Sequence, residues 1–190
     1  MPAGFTIVGL GESLFDIFPG EARLGGAPLN VAVHAHQLAQ ARGGRGVVAS
    51  RVGQDELGAQ VASELRGRGM TIDYLQTDPD RPTGRVHVDV DLEGRPSYDI
   101  APAAAWDNLQ FDPDVEHLAV TCDAVCFGTL AQRDAQSRNT IYRFLDAARR
   151  AVRLFDVTLR SSRGVEFYDA RVLARSCELA TATKLNREAL

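Results

Sequence analysis

LGGAPLNVAVHAHQLA, residues 24–39, combines a glycine pair, a proline and a long apolar run. The glycines let the backbone turn tightly and approach a ligand without a Cβ in the way. Pro28 suits the first turn of a helix, and the helix behind it is apolar on nearly every side, which predicts burial. Asn30 is the polar exception, near a helix N-terminus that attracts oxygen-rich ligands. This stretch alone leaves two interpretations of Asn30 open: a buried amide satisfied by the backbone, or a ligand-binding side chain.

Length and composition limit the class of protein. The 190 residues suffice for one domain with a substantial core. The formal net charge is −4 and the arginines are scattered, so we expect neither nucleic acid nor a membrane surface as a partner. No signal peptide or membrane span is visible, and the three cysteines are few and unpatterned. We therefore expect a reduced, cytoplasmic protein.

Short apolar strands alternate with helical segments along most of the chain. This order predicts βαβ units, a doubly wound α/β fold and a mostly parallel sheet. The predicted strands of this sheet are 6–10, 47–52, 72–76, 124–127, 152–157 and 183–185. The predicted later helices are 56–67, 137–150 with Ser137 as its cap, and 169–179. Trp106 and Pro113 indicate a loop, and we expect the Trp106 side chain to anchor it.

A different pattern, strict alternation, occurs at residues 85–92, RVHVDVDL. Its apolar residues share one face and its charged residues the other, as in a half-buried antiparallel strand. A turn at Glu93-Gly94 leads into a second strand over 95–100, which predicts a hairpin. Together with the strand LFDIF at 14–18, the hairpin predicts a small antiparallel β-lid over about 13–24 and 84–101. Its apolar face must cover a ligand cleft or a second subunit.

Two groups of polar residues adjoin these strands. Asp16 lies inside the apolar strand 14–18, where an ionised carboxylate is costly unless it has a partner or a role. Strand alternation also allows Asp16 to face solvent, and both interpretations stay open at this point. Thr158-Leu159-Arg160 places polar side chains at the carboxyl end of a strand, where open α/β sheets bind ligands.

Several common sites are not indicated. Gly9-Leu10-Gly11 is followed by neither a helix nor a third glycine, which argues against an NAD-type dehydrogenase. The glycines at 43–46 lack the phosphate-binding P-loop pattern. The histidines are not at ligand spacing, so we predict no metal site, zinc included. The sequence has no GxSxG elbow and no CxxC motif.

A set of motifs occurs in a fixed order along the chain. They are GESLFD (11–16), GGAPLN (25–30), SRVGQDELG (50–58), PTGRVHV (82–88), PSYDI (96–100), CFGTLAQR (126–133), FDVTLR (155–160) and KLNREAL (184–190). Together they resemble the N-terminal portion of PfkB-type, ribokinase-like sugar kinases, especially bacterial fructokinases. The resemblance implies a ribokinase-like α/β domain over residues 1–190, ATP and Mg²⁺ as cofactors, and phosphorylation of a sugar hydroxyl. It also implies a homodimer through the β-lid, which the apolar face of residues 85–92 supports.

The resemblance assigns roles to matching positions. Side chains equivalent to Asp16 and Asn30 hydrogen-bond sugar hydroxyls, so a fructose-like sugar is the expected small-molecule partner. The implied substrate-binding positions are Asp16, Gly25, Gly26, Asn30 and Arg160. Lys184 and Asn186 match a motif that serves the phosphate and magnesium environment, and are the implied cofactor-binding residues.

The chain departs from the family pattern at three places. Thr158 replaces the Asn of DxNxR, and Ala189 stands where the Glu of NxxE belongs. The GAGD segment, which supplies the family's catalytic base, does not occur in the 190 residues. We therefore identify no catalytic residue and expect a C-terminally truncated, inactive fragment that does not bind ATP and Mg²⁺ well. The alternative is a non-catalytic sugar-binding remnant or pseudokinase.

Overall fold

The body of the chain is a six-stranded parallel sheet in a computed structural model that describes residues 4–90, 93, 96–162 and 165–185. From one edge to the other, its strands are β12 (Ala182–Leu185), β9 (Val152–Val157), β8 (Ala124–Gly128), β1 (Thr6–Leu10), β4 (Arg45–Gly53) and β5 (Leu75–Asp78). Every neighbouring pair is parallel. The predicted parallel sheet is therefore confirmed.

Helices cover the sheet from both faces, so the doubly wound fold is also confirmed. The helices are α1 (Ala27–Ala39), α2 (Glu56–Gly67), α3 (Pro113–Thr121), α4 (Ala135–Ala147) and α5 (Ala170–Leu179). Residues of α1 and α2, including Leu29 and Val61, form one buried cluster with Val48 and Val52 of β4. Residues of α3 to α5 form the other cluster, in which the rings of Phe127 and Phe155 stack 5.1 Å apart.

The lid is a separate four-stranded sheet. In order across the sheet, its strands are β3 (Glu21–Gly25), β2 (Leu14–Phe18), β6 (Gly84–Val90) and β7 (Pro96–Ile100). The prediction of an antiparallel layer is wrong for one pair, because β2 and β6 are parallel. Each of these two strands leaves the body after a parallel strand, β1 or β5, so both run outward in the same direction.

The apolar face of the lid is buried within the chain. Val86 and Val88 of β6 join the main core, while Arg85, His87 and Asp89 are exposed on the outer side. Val86 and Val88, the part of the predicted face whose burial the structure describes, thus pack toward the body. The predicted lid residues Asp91, Leu92, Gly94 and Arg95 lie outside the described residues. A short antiparallel pair, β10 (Ser161–Ser162) and β11 (Val165–Glu166), follows β9.

The prediction that α1 is buried all round is wrong. The helix buries one stripe against the sheet, while Asn30, His34 and Leu38 are exposed, Leu38 by 80%. A helix that covers a sheet contacts it along one face only, however apolar the other face is. Of the two interpretations of Asn30, the one as a buried amide satisfied by the backbone is contradicted, because Asn30 is exposed.

The start of α4 differs from the prediction, and α3 has no counterpart among the predicted helices. The first residue of α4 is Ala135, where the Asp134 carboxylate accepts a hydrogen bond from the Gln136 amide at 2.8 Å. Ser137 lies inside the helix, where its hydroxyl donates to the Trp106 carbonyl oxygen at 2.5 Å and so fixes the anchored loop. Helix α3 was not predicted, because Pro113 reads as a loop residue although proline suits a first helical turn.

In the described part of the chain, no helix has the length and apolar character needed to cross a membrane.

Candidate functional site

A cleft of about 240 Å³ lies between the lid and the loops that follow three neighbouring body strands. Glu12 follows β1, Thr129 follows β8, and Thr158 follows β9. Open α/β sheets bind ligands at this carboxyl edge because adjacent strand ends bring their loops together there. The lid closes the other side with Leu14, Val86, Tyr98 and Ile100. The volume is below the roughly 300–1,000 Å³ typical of sites for drug-sized ligands, so it suits a small molecule.

Asp16 faces this cleft from the lid strand β2. Its partial burial raises the pKa of the carboxyl above its ordinary value, and the positive charge of Arg160 opposes that rise. Gly25, on the neighbouring strand β3, leaves room for the carboxylate, because a Cβ there would lie 2.8 Å from Asp16 Oδ2. The solvent-facing interpretation of Asp16 therefore gives way to one in which it lines a cleft.

Asn30 reaches the same cleft from the first turn of α1. Its backbone amide donates to the carbonyl oxygen of Gly26 at 2.9 Å. Gly26 lines the cleft with φ of 113°, in the region that favours glycine, and a Cβ there would collide with the carbonyl oxygen of Glu12. The glycine therefore permits α1 to begin close against the cleft floor.

Arg160 supplies a positive charge to the cleft. Its guanidinium lies 5.6 Å from the centroid of the Tyr98 ring, so it bridges the end of β9 and the lid. The same charge acts on the carboxyl groups of Asp16 and Glu12. The structure thus brings Asp16, Gly26, Asn30 and Arg160 to one cleft, with Gly25 directly behind Asp16.

Glu12 is a site residue that sequence reasoning missed. It is 3% exposed and lines the cleft. Its Oε1 accepts a hydrogen bond from the Ala27 amide at 3.2 Å, whereas its buried Oε2 has no hydrogen-bond partner among the residues that the structure describes. Burial raises the pKa of this carboxyl to about 7, against the backbone hydrogen bonds of Glu12 and Ala27 and the charge of Arg160. The available signal was an acidic residue directly after a buried strand, within the motif GESLFD.

Lys184, one of the two implied cofactor-binding residues, is not among the residues that line the cleft. Lys184 lies on the edge strand β12, half exposed, with Nζ 2.8 Å from Asp156 Oδ1. Asn186 lies outside the described residues. Thr158 occupies the position of the family's Asn and lines the cleft, and its carbonyl oxygen accepts a hydrogen bond from the Thr129 hydroxyl.

A magnesium site was tested against the donor groups present. The described ranges contain no group of three or more His, Cys, Asp or Glu side chains that could hold a metal ion. The ammonium of Lys184 is already paired with a carboxylate. Mg²⁺ is usually held by one or two carboxylates together with phosphate oxygens and water, and we derive no step through the metal.

The sequence is similar to a family of carbohydrate kinases and to individual members of it. A model described as pfkB family carbohydrate kinase matches residues 16–190. A fructokinase of Klebsiella pneumoniae is 32% identical, in a match that covers 95% of this chain and 60% of the relative. A 2-dehydro-3-deoxygluconokinase of Thermoproteus tenax is 30% identical, with 83% of this chain and 51% of the relative covered. The chain therefore spans between about half and three fifths of the length of these relatives.

Structural comparison agrees with the sequence comparison. The crystal structure of fructokinase with bound ATP from Xylella fastidiosa matches with a TM-score of 0.80 at 25% identity. The match covers 96% of this chain and 58% of that structure. The predicted ribokinase-like fold is thereby confirmed.

Proposed function

This chain belongs to the pfkB family of carbohydrate kinases, and we propose that its cleft binds a fructose-like sugar for ATP-dependent phosphorylation of a hydroxyl group. One observation carries the proposal. Asp16, Asn30 and Arg160 come from a lid strand, a helix start and a loop after a body strand, yet all three line one small cleft. The fructokinases among the similar proteins support fructose as the model sugar.

The three side chains offer complementary hydrogen bonds to a polyol. The carboxylate of Asp16 accepts, the amide of Asn30 both donates and accepts, and the guanidinium of Arg160 donates. A hydroxyl in the wrong position leaves one of these groups unpaired, at a cost of about 1–3 kcal/mol. The cleft therefore distinguishes sugars by the pattern of their hydroxyl groups.

The charges of the cleft favour a neutral sugar over a sugar acid. Two acidic side chains, Glu12 and Asp16, face one cationic side chain, Arg160, among the residues that line it. An anionic ligand would meet repulsion from both carboxylates when they are ionised. D-fructose is the appropriate probe, and 2-dehydro-3-deoxygluconate is the matched anionic comparison.

Phosphoryl transfer is a separate part of the proposal. We infer that these 190 residues, taken alone, bind the sugar without phosphorylating it. In support, the sequence contains no GAGD segment, which supplies the catalytic base in the family that the chain resembles. A coupled assay that follows ADP release with D-fructose, ATP and Mg²⁺ should show no turnover above the background without sugar. Fructose-dependent ADP release at a kinase-like rate would contradict this inference.

Sugar binding is tested by isothermal titration calorimetry of the purified chain with D-fructose. Asp16→Ala should weaken binding about tenfold or more, since it removes a hydrogen bond to a charged acceptor. Asp73→Ala, which changes an exposed aspartate outside the cleft, should leave the affinity unchanged. Absence of fructose binding, or equal affinities for both variants, would contradict the proposed site.

A homodimer through the β-lid remains a prediction from the family resemblance. Because the apolar face of β6 packs inside the chain, such a dimer would have to use the polar outer face or the outer strands β3 and β7. Sedimentation velocity at increasing concentration should then show a dimer that Arg85→Glu or His87→Glu weakens. A monomer at every concentration would contradict the prediction.

A further inference from the structure

Glu12 Oε2 is a buried polar atom with no hydrogen-bond partner in the described part of the chain. Most buried polar groups have a partner, so an exception at a cleft calls for an explanation. Glu12 Oε1 is occupied by the Ala27 amide, and this bond alone accounts for a structural role at the start of α1. It does not account for Oε2, which has no hydrogen-bond donor among the described residues.

Charged and titratable groups reach Glu12 from several elements. Arg160, after β9, stabilises the ionised carboxylate, whereas Asp156 on β9 disfavours it. The thiol of Cys126 on β8 interacts with both acids. Asp16 of the lid lines the same cleft. Lys184 is engaged by Asp156 and so does not offer its charge to Glu12 directly.

We propose that Glu12 is a further sugar-binding residue: sugar binding opens access to its buried Oε2, which accepts a hydrogen bond from a sugar hydroxyl while the carboxyl group releases its proton to solvent. The inference rests on the proposed function, since it requires a sugar in the cleft. The sugar O–H bond stays intact, and the only species lost is the carboxyl proton, which the buffer accepts. Sugar hydroxyls supply the donor that none of the described residues places beside Oε2.

The proton release follows from the strength of the new bond. Without sugar, the carboxyl of Glu12 has a pKa of about 7 and is therefore about half protonated around pH 7. A hydrogen bond to an ionised acceptor is roughly twice as strong as one to a neutral acceptor, so binding favours the carboxylate. If the sugar binds the ionised form of Glu12 tenfold more tightly than the protonated form, about 0.4 proton leaves per sugar at pH 7. The affinity for the sugar then rises about fivefold from pH 6 to pH 8.

Calorimetry in two buffers measures this proton directly. D-fructose is titrated into the chain at pH 7 in phosphate and in Tris, whose ionisation enthalpies differ, and the difference in heat gives the number of protons released. Glu12→Gln keeps an acceptor for the Ala27 amide but cannot ionise, so it should bind fructose without proton release. Glu56→Gln, at an exposed position of α2, should release as many protons as the unchanged chain.

The outcomes separate this inference from the proposed function. Release in the unchanged chain and in Glu56→Gln, but not in Glu12→Gln, supports the role of Glu12. Fructose binding without proton release, or release that survives Glu12→Gln and disappears in Asp16→Asn, overturns it while the proposed sugar site stands. Absence of fructose binding by the unchanged chain overturns both. The pH dependence of the unchanged chain requires no variant, so a Glu12→Gln chain that fails to fold does not block the test.

Discussion

The two edge strands of the body sheet, β5 and β12, differ in how much of the chain packs against them. Beyond β5, the loop before α3 runs along the edge: the Gln76 side chain donates to the Gln110 carbonyl oxygen, and the Gln110 amide donates back to Gln76 Oε1, both at 2.9 Å. All four residues of β12 are exposed. The side chain of Lys184 makes one ion pair there, with Asp156.

Asp78 shows what a covered edge provides. It ends β5 and is buried, with hydrogen bonds from Asn108, from the backbone amides of Asp80 and Arg81, and from Arg51. Burial alone would raise the pKa of this carboxyl, but these bonds and the Arg51 charge outweigh it and lower the pKa to about 2. The comparison teaches that a sheet edge becomes a fixed part of the fold when several polar groups converge on it.

The largest expected effect is that of Asp78→Ala. The change leaves the mostly buried guanidinium of Arg51 without its carboxylate and removes several hydrogen bonds. We expect the free energy of unfolding in urea to fall by about 3 kcal/mol. Asp80→Ala, an exposed neighbour, should change it by less than about 0.5 kcal/mol. A loss below 1 kcal/mol for Asp78→Ala would show that the covered edge does not depend on this network.

The next effect is the pH dependence of the same carboxylate. Because the pKa of Asp78 is lower in the folded state than its usual value of 3.8, its contribution is complete above about pH 5 and is lost as the pH falls toward 2. The stability advantage of the unchanged chain over Asp78→Asn should shrink by about 2 kcal/mol between pH 6 and pH 2. Urea unfolding at several pH values measures this difference, and a constant advantage would refute the assignment.

The smallest effect is expected at the exposed edge. Lys184→Ala breaks an ion pair whose lysine side chain is 50% exposed, so the free energy of unfolding should fall by no more than about 1 kcal/mol. High salt should reduce even this loss by screening the pair. A loss as large as that of Asp78→Ala would mean that β12 is held as firmly as β5, and the contrast between the two edges would disappear.

Sequence periodicity predicted the bounds of several individual elements well, but it did not predict which strands pair with each other. The strands at 6–10 and 152–157 and the helix at 56–67 agree with the structure to the residue. The order of strands was not predictable in this way, because alternation reports burial and not which strand is the neighbour. For the same reason the lid hairpin was found, but the parallel pairing of β2 with β6 was not.

The candidate site depended on the family resemblance more than on pattern. Asp16 and Asn30 were each ambiguous alone, and the ordered motifs predicted that they share a pocket, where the structure places both. Glu12 was missed although the motif GESLFD contains it, because its contact with Ala27 at the start of α1 is a tertiary contact that the sequence alone does not report. Lys184 was placed by motif alone, and its pairing with Asp156 depends on the register of β12 with β9.

Lys184 has a practical consequence, since it is the only lysine among the 190 residues. Among the side chains of these 190 residues, an amine-reactive dye can attach only there, and the lysine side chain is half exposed. A fluorophore on this one side chain would report on β12, whose four residues are all exposed. Its emission would register anything that docks along β12, without the need to introduce a new attachment point.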